Sequence, residues 1–337
     1  MAHLTNPLAT VDQLCRRTAS FGALPSDLQD AIFYATQSLT QAAGLLLRLP
    51  QSVTAQASVM LARYWLEDSL LAGEFSDVSA ASLFLTAKLS AHPCRPRDVC
   101  NVYAYLLSPA SPLFRPRPAA PSESDPDPDP SSYYLSESAY AAAQARMLRL
   151  EARILYALGF DTHVALPHGL AVTYLQALDF CGGGGGGGDA SSTSSSRARV
   201  ARRVVAHLNT ALLSPQMLYL THQPGALAVA AIYSAARDPD IAAKMPACPW
   251  WEVFDVDREE LGFLVVGMRS LEGLVRRLAD DVQGFTRSGM LTRNDVEAEM
   301  RRRGLKVTNG TGAEPREIDE EEAMMRSMDE RAEIMEQ

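Results

Sequence analysis

Apolar positions along most of the chain recur at intervals of three and four residues. Runs of β-branched residues alternating with polar ones between turn signals are absent, so the pattern predicts an all-α protein. Two sets of five helical segments emerge, 27–47, 52–71, 77–91, 96–107 and 136–158, then 167–178, 197–213, 225–237, 249–254 and 258–278. Ser26 followed by Gln29 has the spacing of a capping box, Pro96 suits a first helical position, and Gly159 suits a C-terminal stop. Segment 52–71 gathers Val53, Ala57, Met60, Tyr64 and Leu71 on one face, whereas 77–91 is apolar nearly all round, as expected of a helix enclosed by others. The third segments of the two sets share a texture, Ser82-Leu-Phe-Leu-Thr-Ala-Lys88 against Ala231-Ile-Tyr-Ser-Ala-Ala-Arg237. That is a weak internal repeat.

Three stretches interrupt the helices. Residues 108–132 are rich in proline and carry Glu123, Asp125, Asp127 and Asp129, a composition that cannot offset its ordering entropy by burial. A disordered insertion is expected there. Residues 181–196 hold the glycine run from Gly182 to Gly188 and then mostly serines, the chemistry of a linker. From 281 to 337 sustained apolar content falls and acids gather at Asp319 to Glu322, which predicts an acidic tail, mostly disordered or marginally helical. The expected domains are therefore an N-terminal extension over 1–25, a first bundle over 26–160, a second over 161–280, and the tail.

Composition narrows the function classes. With 337 residues, 47% apolar and 21% charged, the chain reads as soluble and globular, and its net charge of −9 argues against a dominant grip on nucleic acid or anionic lipid. Five scattered cysteines without a C-x-x-C pair indicate neither a disulfide framework nor a zinc site, and a reducing intracellular compartment is expected. No leader-like start and no long uncharged apolar run suggest secretion or a membrane span. The glycine run follows no strand and lacks a Gly-Lys-Ser/Thr ending, so no nucleotide site is expected. His92, Cys94 and Cys100 are interrupted by Pro93 and Pro96, which favours loop and core roles over a metal. Arg301, Arg302, Arg303 and Lys306 suit a solvated helix face better than an import signal, and Trp250 and Trp251 suit a core. With no catalytic triad or phosphate loop in a suitable context, neither intrinsic catalysis nor a cofactor is expected.

Two opposite charges stand inside apolar stripes. Lys88 has Phe84, Leu85 and Ala91 at helical offsets, and Glu151 has Met147, Leu148, Ile154 and Leu155, while Arg146, Arg149 and Arg153 line another face. A lone charge taken from water is costly, so each must reach solvent, meet a counter-charge or be covered by a partner. The simplest arrangement pairs them; the plain alternative is a snorkelling lysine and a solvated glutamate.

Gln41-Ala-Ala-Gly-Leu-Leu-Leu-Arg-Leu-Pro50-Gln51, Arg97-Asp98-Val99 with Asn101-Val102, and Leu166-Pro-His168 with Tyr174-Leu-Gln176 resemble signatures of the cyclin family, most closely its cyclin L branch. The resemblance spans about 26–278 and implies two tandem five-helix cyclin boxes. It further implies a regulatory subunit that binds and activates a cyclin-dependent kinase as a heterodimer, in RNA polymerase II transcription and pre-mRNA splicing, in the nucleus. By the same resemblance Lys88, Leu89, Glu151, Leu155 and Phe160 fall where cyclins contact the kinase. The sequence departs from the family's pattern at Ser90-Ala91-His92, where an acidic pair commonly follows the lysine, and its tail is acidic where animal relatives carry an Arg-Ser-rich one. Its first helix also lacks the hydrophobic docking motif of cell-cycle cyclins. A TFIIB-like general transcription factor and a non-activating cyclin-fold scaffold remain as alternative readings.

Overall fold

The computed structural model describes residues 4–20, 24–108, 111, 134–178, 190–238, 241, 248–282, 285 and 290–305. Most of the expected insertion, residues 181–189 and the tail beyond 305 lie outside them. The elements in chain order are α1 (Val11–Ser20), α2 (Ser26–Leu46), α3 (Gln51–Glu67), α4 (Phe75–Leu89), α5 (Pro96–Leu106), α6 (Glu137–Ala157), α7 (Pro167–Ala177), α8 (Ala190–Leu212), α9 (Leu218–Thr221), α10 (Pro224–Ala236), a 3-10 turn (Trp250–Phe254), α11 (Arg258–Asp281) and α12 (Arg293–Arg302). Among the described residues there is no strand.

Each bundle is organised round its third long helix. Helix α4 touches α2, α3, α5 and α6, and α10 touches α7, α8, α9, α11 and the 3-10 turn. The cause is compositional: small residues such as Ala80, Ala81 and Ala87, or Ala228, Ala230 and Ala231, let neighbours approach from every side. Polar groups buried where α4 meets α2 and α5 are paired. Ser79 Oγ lies 2.6 Å from both Thr40 Oγ1 on α2 and Tyr103 Oη on α5, tying three helices together.

The Gln41–Gln51 signature is the α2–α3 turn, and each part has a physical task. A Cβ at Gly44 would collide with the Thr54 hydroxyl, so glycine lets α2 and α3 close together. Arg48 turns the chain at φ 54° and Pro50 caps α3. Gln51 Nε2 then donates to Gln41 Oε1 (3.2 Å) and to Asn209 Oδ1 (3.0 Å), which also lies 3.0 Å from His168 Nε2. One turn thereby joins both boxes.

Four expectations are corrected. Ser26 does not cap α2: Pro25 occupies the N-cap, no side chain caps it, and Gln29 Nε2 reaches back to Leu24 O at 2.8 Å. Helix α8 starts at Ala190, inside the stretch read as linker, since a helix anchored by buried Val200, Val204 and Leu208 extends through residues of modest propensity. The N-terminal extension holds structure: α1 packs on α3, and Asn6 bridges the boxes. Its amide donates to Ala165 O (2.8 Å) and accepts from Ala165 N (2.7 Å), while its backbone N–H and C=O bond the Gln223 side chain. Residues 290–305 are not marginal. A capping box from Thr292 and Asp295 starts α12, which buries Val296 and Met300.

Helix α12 is pinned by charge. Buried Glu299 accepts from Arg302 (2.5 Å) and Arg303 (2.6 Å), and Arg303 also meets Asp27 at the start of α2 at 2.7 Å. The basic cluster at 301–303 is thus largely engaged in ion pairs. The Arg302 hydrogen bond foremost, then Arg303, pulls the Glu299 carboxyl from 4.5 to about 2.

N6A should lower the urea midpoint without changing the slope, a loss of about 1–3 kcal/mol for orphaned partners at Ala165 and Gln223. A depressed carboxylate adds stability above its unfolded pKa and loses it as pH falls. Amide-exchange protection of α12 should therefore fall between pH 4.5 and about 2. E299Q should be unprotected at neutral pH and flat across that window.

Candidate functional site

The sequence of α6 places Met147, Glu151 and Ile154 on its buried stripe. Ser136 caps the helix by accepting from Ala139 N at 3.3 Å. The exposed flank of α6 is clamped by ion pairs, Arg146 Nε to Asp77 Oδ2 at 2.8 Å and Arg153 Nε to Asp68 Oδ2 at 2.7 Å, with Tyr64 Oη donating to Asp68 at 2.5 Å. Asp68 and Asp77, absent from the sequence reading, orient the helix.

Helix α4 ends at Leu89, so Lys88 sits in its last turn, where a cation complements exposed carbonyls. Lys88 Nζ donates to Glu151 Oε1 at 2.9 Å and lies 5.8 Å from the Phe84 ring centroid. The pairing expected from the sequence is present. It is asymmetric, the lysine side chain 58% exposed and the glutamate 8%. Glu151 acts as the buried foot that fixes a cation at the surface, and the ammonium keeps donors for a second acceptor.

Exposed apolar side chains stand on the same two helices and the turn after α6. Leu89 is 59% and Phe160 61% exposed, and Leu155 is half-buried. Gly159 and Phe160 both take left-handed backbone, φ 56° and 60°, and Phe160 N donates to Leu155 O at 2.9 Å. A bulky residue is costly in that region, so this turn holds the ring outward against its own preference. Tyr156, 75% exposed, meets Phe160 edge to face at 5.5 Å, and Leu148 is exposed one turn before Glu151. The sequence reading named Leu148 only as an apolar neighbour of Glu151 and did not name Tyr156. The i+5 and i−3 offsets from Glu151 were the available signal. Large exposed apolar groups on the same elements as a fixed charge are what a protein interface uses.

At the end of α10, Arg237 takes the place that Lys88 has in the first box but stacks over Tyr233 at 5.2 Å. Trp250 is buried and meets Trp251 and Phe254 edge to face, at 6.1 and 6.3 Å. Among the described residues, no helix is long and apolar enough to cross a membrane.

The architecture is that of tandem cyclin boxes. No protein-family profile matches the chain. Among curated proteins it is 27% identical over 270 residues to the cyclin L homolog cyl-1 of Caenorhabditis elegans, covering 79% of this chain and 50% of that one. It is 28% identical over 259 residues to cyclin-L2 of Homo sapiens, covering 77% and 43%. Against human cyclin-L1 it is 29% identical over 224 residues, covering 66% and 36%. The chain is similar to the cyclin L proteins over most of its own length and spans half or less of the length of these relatives. Two solved structures share the fold: the yeast RNA Pol II CTD kinase CTDK-1 complex (TM-score 0.56, 14% identity, covering 92% of this chain and 87% of that one) and the CAK complex of Chaetomium thermophilum bound to ATP-gamma-S (0.51, 13%, 89% and 88%).

K88A should leave Glu151 buried without its counter-charge and destabilise the free protein by about 1–3 kcal/mol, read as a lower denaturant midpoint. K88A/E151Q should recover part of that loss. Equal loss in both would show that the pair makes no net contribution.

Proposed function

We propose that this protein is a non-catalytic regulatory subunit that binds and activates a cyclin-dependent kinase acting in RNA polymerase II transcription and pre-mRNA splicing, in the nucleus. The observation that carries the proposal is the Lys88–Glu151 bridge at 2.9 Å beside exposed Leu89, Phe160 and half-buried Leu155. Likeness to cyclin L proteins supplies the process and the compartment. A kinase laid on this surface buries apolar area and gives the Lys88 ammonium a second acceptor. By the cyclin resemblance, what is covered is the kinase's mobile C helix. Contact made only with its active placement shifts the kinase toward the state in which its Lys–Glu pair forms and ATP phosphates align. The protein does no chemistry; its binding free energy biases a conformational equilibrium.

Exposed residues do not include acids directly after Lys88: Ser90 Oγ instead donates to Ala87 O at 2.8 Å and accepts from His92 N at 3.0 Å, closing the helix end. That local difference keeps a scaffold reading in play, binding without activation, and the test separates the two.

Affinity purification from the native cell identifies the kinase, and purified kinase is then assayed with and without this chain. Kinase activity should rise on addition of the wild-type chain. F160A should weaken kinase binding by about 2–4 kcal/mol, as removal of an interface aromatic does, with little change in the free protein's stability. Binding without stimulation would establish the scaffold, and unchanged affinity in F160A would remove this surface from the interface.

A further inference from the structure

Helix α3 buries a guanidinium. Arg63 is 8% exposed, and among the described residues no other arginine is buried to that degree. Its Nη1 donates to His163 O at 2.8 Å, across the junction of the boxes. Its Nε and Nη2 are closed to solvent and have no hydrogen-bond partner. Those two nitrogens form one edge of the guanidinium, where parallel N–H bonds match the two oxygens of a carboxylate. The bond to His163 uses the remaining nitrogen and leaves that edge whole. Buried donors are paired in folded proteins as a rule, and a desolvated cation without a counter-charge is costly. Burial foremost lowers the Arg63 pKa and the field of Asp161 raises it, although the two form no ion pair.

Arg63 stands in the wall of a pocket of about 230 Å³ between the N-terminal extension, α3, the end of α6 and α9. Leu8, Leu66, Ala157, Leu158 and Leu220 supply its apolar wall. The two acids that line it are already engaged: Glu67 Oε1 accepts from Gln13 Nε2 at 2.7 Å, and Asp161 Oδ1 accepts from His163 N at 3.1 Å. Neither completes the Arg63 edge. With about 30 Å³ to a water, the volume holds roughly eight water-sized groups. Leu8 is 40% exposed, so that side of the pocket borders solvent. Because both donors are closed to solvent, an entering group has to displace side chains to meet them.

We propose that this pocket is a binding site for a carboxylate on a short aliphatic stem. The carboxylate takes the Nε–Nη2 edge of Arg63, and the stem lies among Leu8, Leu66, Leu158 and Leu220. A phosphate would bring a second negative charge toward Glu67 and Asp161, and a neutral amide would meet the donors without neutralising the cation. Leu158 and Asp161 flank the Gly159–Phe160 turn, so an occupant lies beside the turn that holds Phe160 outward.

Hexanoate fills about that volume and is the probe, and the full chain with isotope-labelled arginine reports on it by magnetic resonance. Saturable displacement of the Arg63 Nε–H signal is expected, with a Kd of the order of a millimolar. Hexanamide should bind at least ~10-fold more weakly. R63K assigns the signal and should abolish binding. A157F narrows the pocket and leaves Arg63 in place, so it should retain the signal and weaken binding at least ~10-fold. A wild-type signal that hexanoate fails to move at ~100 times that Kd would overturn the proposal. Equal binding of hexanamide would overturn the carboxylate assignment, and equal binding by A157F would put the acid outside this pocket. Displacement in D161N but not in the wild type would show that Asp161 itself fills the edge, and would overturn the proposal.

Discussion

Enclosure of α4 is the constraint on which the molecule depends. A helix buried on nearly all sides can carry charge only at its ends, so Asp77 sits in the first turn and its one cation in the last, where solvent begins. Lys88 is held there by Glu151, an anion buried on α6 because Met147 and Ile154 fix that face inward. The buried glutamate would be costly without its lysine. Together they set a positively charged point, of known position, on a surface whose remaining groups are apolar. The same packing demand produces α10 in the second box, but Arg237 there lies over an aromatic ring. Tandem copies of one architecture thus differ in the feature that makes a docking point.

Most of this was legible from the sequence because the signals were strong and local. The nearly all-round apolar texture of 77–91 identified the central helix, and the isolation of Glu151 among apolar neighbours identified its partner. What the sequence hid was mainly nonlocal. Asn6 looks like any polar residue near a terminus, yet its side chain completes hydrogen bonds to Ala165 and its backbone bonds Gln223, more than 150 positions away. Residues 290–305 looked too polar to fold, yet Glu299 is buried because Arg302 and Arg303 neutralise it and Asp27 completes the network. The capping box was sought at Ser26 and stands at Thr292, since Pro25 already fixes the entry of α2. At the site, Leu89, Leu155 and Phe160 came from family likeness, and their outward exposure required coordinates.

Besides the apolar core that runs through both boxes, a few polar contacts join them. Gln51, Asn209 and His168 form one link, and Arg63 forms another by donating to His163 O at 2.8 Å. Burial lowers the His168 pKa against the Asn209 bond that raises it, which keeps the imidazole neutral and the link uncharged. A junction of this kind fixes orientation with few side chains, and it leaves the long groove between α8 and α11 open. The Lys88–Glu151 surface, on α4 and α6, and that groove, on α2, α8 and α11, therefore lie on different helices of the fold.

The central claim is that Lys88 and Glu151 act as one unit under a covering kinase. A double-mutant cycle on kinase affinity, with K88A, E151A and the double variant, measures that unit directly. The account predicts a coupling of about 1.5 kcal/mol or more, with the double variant little worse than either single one. Additive losses, with coupling near zero, would contradict it.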